Sequence, residues 1–268
     1  MLKKVTSLSG FNRQDFKLIL NYFKLNIQDR YLGSSLGSIW AVLNPLFMLG
    51  LYTFVFGYVF KAKAPGAETT LSYAIWLISG YGSWMATSEG IMTATGSVLA
   101  GAGLIKNIAF KTEVLPIASA LTGLVSLMVS LGFLLILLAI DGNHPTWHSI
   151  FILPIMGLQF FLIIGLGFFF SAINVFIRDF SIILPNILTI LLFLTPIFYP
   201  VASVPPILKI LSWFNPFYIV SEAYRESLIY HHIPPLVSLT YVGGLSFVLW
   251  VTGLNFFRRL KGHFEAMI

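Results

Sequence analysis

Residues 12–45 read NRQDFKLILNYFKLNIQDRYLGSSLGSIWAVLNP, and this stretch decides the fold. Its first half predicts an amphipathic helix, because apolar residues recur at helical spacing on one side and polar residues on the other. Asn12 is expected to cap this helix, and Asp15 occupies the capping-box position three residues later. The apolar side carries Phe16, Ile19, Leu20, Phe23 and Ile27, and the polar side carries Arg13, Lys17, Asn21, Lys24 and Gln28.

The helical pattern breaks at residues 29–33, and the chain is predominantly apolar from Ile39 to Phe60. A basic amphipathic helix that leads into an apolar span predicts a helix on the membrane surface, an elbow and then a membrane span. We therefore expect residues 1–35 to form a cytoplasmic N-terminus that contains an amphipathic interface helix, and residues 36–268 to form the transmembrane domain.

Composition agrees with a membrane protein. Of the 268 residues, 57% are hydrophobic and only 10% are charged, with a mean hydropathy of +0.87. A soluble domain carries about 25% charged residues. The absence of cysteine excludes disulfides, thiolate nucleophiles and cysteine-ligated metals. The predicted fold class is an all-α, multi-pass membrane protein.

Six apolar segments are each long enough to cross a bilayer core about 30 Å thick. Within residues 200–235, the stretch from Val204 to Val220 is also apolar, but Pro205, Pro206, Lys209 and Pro216 interrupt it. We expect this region to form re-entrant helices between spans 5 and 6, with a backbone that is buried in protein. The predicted spans are 38–60, 71–96, 116–140, 149–173, 182–199 and 236–257.

The distribution of Lys and Arg predicts the orientation. With the surface helix in the cytoplasm and six spans, both termini are cytoplasmic, and the 16 basic residues divide into twelve inside and four outside. The cytoplasmic set is Lys3, Lys4, Arg13, Lys17, Lys24, Arg30, Lys106, Lys111, Arg178, Arg258, Arg259 and Lys261; the outer set is Lys61, Lys63, Lys209 and Arg225.

Motifs for hydrolysis or metal binding are missing from the sequence. It contains no Gly-x-x-x-x-Gly-Lys-[Ser/Thr] loop for nucleotide phosphates and no His-Glu-x-x-His metal motif. A membrane enzyme would need converging acids, bases or a metal site, and a channel would need repeated polar rings. We expect no catalytic residues and no metal in this chain.

Glu89, within the second predicted span, is the intramembrane carboxyl group of interest. A charged group at the centre of a span costs about 3 kcal/mol by insertion scales, so it should face protein or water. Two interpretations stay open at this point: a hydrogen-bonded lock between helices near Thr87, Ser88 and Thr93, or a polar position along a transport pathway.

Three motifs in order resemble the permeases of ABC-2 type exporters, most closely the polysaccharide branch that exports O-antigen and teichoic acid. The block Arg30–Trp40, followed by Asn44-Pro45, resembles the start of their first span. Residues 174–180 (NVFIRDF) resemble their second cytoplasmic coupling segment. Asn215-Pro216, followed by Glu222 and Arg225, resembles their re-entrant segment.

The resemblance implies a transport subunit without its own ATPase site. Such permeases pair with a second copy and with two copies of a separate ATPase subunit, which binds ATP and Mg²⁺. The implied substrate is a polyprenyl-linked glycan in contact with membrane lipid, moved across the bacterial cytoplasmic (inner) membrane; no nucleic acid is implied. An ABC-2 permease that exports a drug, a lipid, heme or another small molecule is the alternative.

The coupling site implied by the resemblance centres on Arg178 and Asp179, flanked by Phe176 and Phe180. The alternative is an ordinary solvated loop in which Arg178 pairs with its neighbour. The first cytoplasmic loop offers a weaker analogue of this site at Lys106, Asn107 and Lys111.

The elbow is expected to act as a hinge, or simply to be flexible; its residues are Arg30, Tyr31, Gly33, Gly37 and Trp40. In the re-entrant segment, Glu222 and Arg225 form either a local surface pair or a buried pair that holds a gate.

Glu89 and four aromatic residues are candidates for the transport pathway, because apolar sugar faces stack on rings. Membrane-interface belts and core packing are the alternative explanation of the aromatic residues. The gate candidates are Asn215, Pro216, Glu222 and Arg225, and the pathway candidates are Glu89, Trp84, Tyr58, Phe198 and Tyr199.

Overall fold

The computed structural model describes residues 11–62, 65, 69–107 and 110–268, and every regular element in these ranges is helical. Lys3, Lys4 and Lys63, which entered the charge count, lie outside the described residues. The helices are α1 (Arg13–Arg30), α2 (Trp40–Tyr52), α3 (Thr70–Ala100), α4 (Ala102–Asn107), α5 (Val114–Ala120), α6 (Gly123–Ile140), α7 (Ile152–Phe176), α8 (Phe180–Leu194), α9 (Pro206–Phe214), α10 (Pro216–Leu228), α11 (Leu236–Leu260) and α12 (Phe264–Met267).

Within the described residues, four helical runs are long and apolar enough to cross a membrane: Gly37–Val59, Val114–Ile140, Trp147–Phe176 and Leu236–Met267. They correspond to the predicted spans 1, 3, 4 and 6. The first includes a π-helical segment, Thr53–Val59, after α2. The structure thus confirms an all-helical membrane protein.

The predicted spans 2 and 5 differ from the other four. Helix α3 has 31 residues but is not apolar enough to be counted with them, whereas α8 is apolar but has only 15 residues. At 1.5 Å per residue, α8 is about 22 Å long. Its helical backbone ends at Leu194, so the last residues of predicted span 5 form an irregular segment.

Helix α3 is less apolar because protein surrounds it. It contacts α5, α6, α7, α8 and α10, and most of its residues are buried. Several of its buried hydroxyl groups donate to carbonyl oxygens one turn earlier, for example Ser79 to Trp76 at 2.8 Å and Thr95 to Ile91 at 2.7 Å. A polar side chain whose hydrogen bond is made within its own helix can therefore be buried without the free-energy cost of an unpaired polar group.

Glycines bring the backbones of neighbouring helices into contact, as small residues do between membrane helices. A Cβ on Gly123 of α6 would lie 2.1 Å from the carbonyl oxygen of Ala86 in α3. Between α7 and α11, a Cβ on Gly253 would lie 2.6 Å from the carbonyl oxygen of Gly165. These two helix pairs therefore have no room for a larger residue at the contact.

Helix α1 forms as its sequence predicts. The backbone N–H of Asn12 donates to the Asp15 carboxylate at 2.7 Å, as in a capping box. Ile19 is buried in one apolar cluster with Val114 and Ala118 of α5. Phe16 on the same predicted apolar side is 60% exposed, so only part of that side is covered by this chain.

Candidate functional site

The elbow between α1 and α2 is set by two glycines in the left-handed region of backbone conformation. Gly33 has φ = +79° and Gly37 has φ = +52°. Nothing lies within 4 Å of a Cβ built at either position. Backbone conformation, and not lack of space, therefore accounts for glycine here. Tyr31 is the C-cap residue that follows α1, and the exposed Trp40 begins α2.

The last residue of α1 reaches the middle of α3. The guanidinium of Arg30 forms an ion pair with Glu89, and the hydroxyl of Ser126 in α6 donates to the other carboxylate oxygen. The Glu89 side chain is 16% exposed and that of Arg30 is 42% exposed. Two residues that the sequence analysis treated separately, one in the elbow and one in a pathway, thus form a single contact between three helices.

This ion pair borders a cavity of about 300 Å³ with both polar and apolar walls, which we name the elbow cavity. Its wall includes Asn26, whose side-chain amide donates to Ser119 of α5 at 2.9 Å. Thr93 of α3 also donates to the backbone carbonyl of Ser119, at 2.7 Å. The cavity is bordered by α1, α2, α3, α5 and α6, and its surface carries hydroxyl, amide and charged groups beside apolar side chains.

One end of the helix bundle, which we name the basic end, consists of α1, α4 and residues 110–113, 177–179 and 261–268. Lys111 donates to the Asp15 carboxylate at 2.6 Å and so ties the first loop to α1. This hydrogen bond and a second from the backbone of Asn12 lower the pKa of Asp15 below its ordinary value.

Glu113 is a further charged group at the basic end, and the sequence analysis did not identify it as a site. It is buried and accepts hydrogen bonds from Arg258 at 3.1 Å and from Lys261 at 2.8 Å. Burial raises its pKa, but the hydrogen bonds, first that from Lys261, outweigh burial and leave the pKa lowered. The signal for this site in the sequence was a carboxylate in a predicted cytoplasmic loop together with basic residues in the C-terminal segment.

The predicted coupling residues also lie at the basic end. Arg178 donates to the backbone oxygen of Met267 at 3.4 Å, and the ring of Phe176 lies 6.2 Å from that of Phe264. Asp179 is exposed.

The Phe180 ring lies 5.1 Å from that of Phe170. Lys106 and Asn107 are exposed, and the Asn107 amide donates to Gly103 at 2.7 Å. Exposed charged side chains are therefore present on both loops.

At the opposite end, residues 195–235 form what we name the cap segment, and Arg225 is its centre. This guanidinium is 1% exposed and lies 3.7 Å above the ring of Trp76. It donates to the carbonyl oxygens of Ile197 at 2.7 Å and Trp76 at 3.3 Å, and pairs with Glu222 at 3.0 Å. Of the two interpretations left open, the structure has a pair whose cation is buried.

Asn215 and Pro216 form the start of α10. The Asn215 side chain accepts from the backbone N–H of Phe217 at 3.0 Å, which caps the helix, and Pro216 occupies its first turn. The same side chain donates to Thr195 at 2.8 Å. This asparagine therefore fixes α10 to the segment that follows α8.

A buried hydrogen-bond network connects the cap segment to the bundle, and the sequence analysis missed it. Gln159 of α7 donates to the Ser83 carbonyl at 2.8 Å and to the Thr87 hydroxyl at 3.0 Å. The hydroxyl of Tyr224 in α10 donates to the Gln159 side-chain oxygen at 2.8 Å. A glutamine within an otherwise apolar span was the available signal.

The four aromatic pathway candidates occupy different environments. Trp84 is buried, with its ring 5.4 Å from that of Phe217, and Phe198 is 1% exposed. The ring of Tyr58 is largely exposed, whereas the hydroxyl of the partly exposed Tyr199 donates to the carbonyl of Phe193. Among the described residues of one chain, Tyr58 is thus the candidate that most clearly presents a ring to its surroundings. The rings within 5 Å of Phe198 are those of Tyr52 and Phe56.

Comparisons with known proteins agree with this architecture. The sequence profile of the ABC-2 type transporter family matches residues 18–229. The O-antigen export system permease protein RfbA of Myxococcus xanthus is 25% identical over 253 residues, covering 94% of this chain and 95% of the relative. RfbA of Klebsiella pneumoniae is 25% identical over 259 residues, with the same coverage. The polysialic acid transport protein KpsM of Escherichia coli is 24% identical over 261 residues, covering 97% and 98%.

Proposed function

The chain belongs to the ABC-2 type transporter family, and we propose that it is the permease subunit of an ATP-driven exporter that moves a lipid-linked polysaccharide across the bacterial cytoplasmic membrane. The observation that carries this proposal is the full-length similarity to permeases whose names specify O-antigen export and polysialic acid transport. We propose as the substrate a polyprenyl-linked glycan such as O-antigen or teichoic acid, and the names of the relatives support a polysaccharide substrate.

We propose a topology of six spans in which α3 and α8 supply the second and fifth. The basic end is assigned to the cytoplasm, because Lys and Arg are retained there. The cap segment then faces the outside, with α9 and α10 as re-entrant helices. The burial of α10 against α3 and α7 supports this assignment, because irregular backbone at membrane depth requires protein around it.

We propose that two copies of this chain assemble with two copies of an ATPase subunit, which binds ATP and Mg²⁺. The exposed Asp179 and Lys106 and the half-exposed Phe180 are offered as contacts for that subunit. The absence of a phosphate-binding loop in this sequence agrees with this division of roles.

In this proposal, closure of the ATPase subunits moves α1 and the two loops of the basic end. The Arg30–Glu89 ion pair passes the motion from α1 to α3, and the glycine elbow lets α1 turn relative to α2. The cap segment, held by Arg225, closes the outer side between transport cycles. The glycan leaves between the two permease copies, and Tyr58 is a candidate for contact with sugar rings.

Deletion of this gene tests the proposal. We expect the surface polysaccharide to disappear and lipid-linked glycan to accumulate in the cytoplasm, and the wild-type gene to restore export. The permease should also copurify with an ATPase. Surface polysaccharide that is unchanged after deletion, together with increased sensitivity to a drug, would contradict the proposal and favour the small-molecule alternative.

A further inference from the structure

The C-terminal residues 261–268, which we name the tail segment, fold back onto the basic end. Phe264 is fully buried, with its ring 5.2 Å from that of Phe257 in α11 and 6.2 Å from that of Phe176. It belongs to one apolar cluster with Ile105 of α4 and Val175 of α7. A single side chain of the tail thus packs between the helices that border the two loops.

Polar contacts attach the tail segment to both loops. On one side, Lys261 donates to the buried Glu113 carboxylate at the end of the first loop, at 2.8 Å. On the other side, the backbone oxygen of Met267 accepts from Arg178 of the second loop at 3.4 Å. A continuous series of contacts therefore leads from one loop to the other through the tail.

The first loop is in turn tied to α1, because Lys111 donates to Asp15. Between the first loop and the tail lies a groove of about 460 Å³, lined in part by Lys106, Phe110 and Glu265. The tail is thus next to the surface on which the proposed ATPase contacts lie, and it is itself partly exposed there.

We propose that the tail segment is a brace that fixes the two loops relative to each other, so that movement of the ATPase displaces them as one unit. Phe264 is the positioning residue of this brace, and Glu113 is its polar anchor. The inference rests on the proposed function, because it concerns how a partner's movement enters the permease. It assigns a role to a part of the chain outside the two coupling loops.

The distance between the loops tests the brace in the permease alone. The sequence has no cysteine, so Lys106→Cys and Asp179→Cys place two spin labels without background. Labelled permease is mixed with excess unlabelled permease in lipid nanodiscs, so that most of the dimers that contain a label carry only one labelled chain. We expect a narrow distance distribution that broadens clearly with Phe264→Ala or Glu113→Gln. The controls Phe264→Leu and Glu265→Gln should keep it narrow, and equal widths in all variants would overturn the brace.

Coupling is then measured with the permease, its ATPase and lipid-linked glycan in proteoliposomes. We expect Phe264→Ala to copurify with the ATPase and to hydrolyse ATP, while the glycan exported per ATP falls by about fivefold or more. The Phe264→Leu variant should export about as much glycan per ATP as the wild type. If export and hydrolysis fall by the same factor, or neither changes, the tail is not a coupling brace.

The two measurements separate the brace from the function on which it rests. A wild-type complex that moves no glycan with ATP would contradict the proposed function. The distribution of distances between the two labelled loops would still show whether the tail segment fixes them. Glu113→Gln removes a charge without leaving a cavity, so it remains informative if Phe264→Ala does not fold.

Discussion

The two ends of the helix bundle are stabilised in different ways. In the cap segment, one cation, Arg225, is almost fully buried between carbonyl oxygens and an aromatic ring. At the basic end and the elbow, the cations are partly hydrated, with side chains 42% exposed at Arg30, 40% at Lys111 and 39% at Lys261. The same kind of charged contact therefore occurs in two very different environments.

This difference determines which end can move. Removing one member of a buried ion pair costs about 3–5 kcal/mol, whereas an exposed pair contributes about 0–1 kcal/mol. The partly hydrated cations Arg30 and Lys111 can therefore leave and re-form their contacts with α1, α3 and the first loop more readily than Arg225 can leave the cap segment. The Glu113 carboxylate is only 3% exposed, so the tail segment stays attached while α1 moves.

The largest effect is expected from Arg225→Ala. The substitution leaves the carbonyls of Trp76 and Ile197 without this donor and opens a cavity, so the free energy of unfolding should fall by about 3 kcal/mol. Thermal unfolding in detergent measures this. The control is Lys209→Ala, an exposed cation of α9 whose removal should change stability by less than about 0.5 kcal/mol. Similar effects of both variants would remove the contrast between buried and exposed cations.

Gly80→Ala sharpens the same point with one methyl group. A Cβ at Gly80 would lie 2.3 Å from Nη2 of Arg225, so the guanidinium must move, at a cost of about 1–3 kcal/mol. Gly96→Ala in the same helix is the matched control, because nothing lies within 4 Å of its Cβ. It should be neutral or stabilising by up to about 1 kcal/mol. The thermal unfolding midpoint should therefore fall for Gly80→Ala and not for Gly96→Ala. An equal shift in both variants would contradict the close contact between Gly80 and Arg225.

Arg30→Gln is expected to affect transport more than stability. The pair with Glu89 is partly hydrated, so the free energy of unfolding should change by less than about 1 kcal/mol. Export, measured as surface polysaccharide in cells, should fall by about fivefold or more, because α1 loses its contact with α3. Arg13→Gln, on an exposed part of α1, is the control. The double exchange Arg30→Glu with Glu89→Arg should recover part of the export, and export unaffected by Arg30→Gln would contradict the proposed role of the pair.

The smallest effect is expected from acid. Asp15 and Glu113 have pKa values below their ordinary values of 3.8 and 4.5, so each carboxylate contributes stability above that value and loses it as the pH falls through its lowered pKa. A spin label at Asn21→Cys should show that the mobility of α1 is constant from neutral pH to about pH 4 and increases at lower pH. Asp15→Asn should remove most of this pH dependence. Loosening of α1 well above that range would show that other groups hold it.

Much of the helical architecture could be predicted from the sequence, because it depends on local patterns. The capping box of α1 and the four long apolar runs are local features, and the structure has them. Helix α3 shows the limit of hydropathy: it is central and buried, yet its polar residues keep it below the apolarity of the other spans.

The candidate site could be predicted only in part, because its contacts join distant residues. Arg30 and Glu89 were each identified, but they are 59 residues apart, and no local pattern connects them. The pairing of Glu222 with Arg225 could be proposed from their spacing. The carbonyl of Ile197 that also holds Arg225 could not, because it depends on how α8 ends in three dimensions.

The central claim, that this chain is a glycan permease driven at its basic end, is tested most directly by reconstitution. Wild-type and Arg30→Gln permeases are each reconstituted with the ATPase subunit and lipid-linked glycan, and a glycosidase outside the vesicles detects glycan that has crossed. With the wild-type permease, we predict that glycan crosses the membrane only when ATP is present. With Arg30→Gln, we predict nearly the same rate of ATP hydrolysis but much less glycan transport. Crossing that is independent of ATP, or equal crossing with both permeases, would contradict the account.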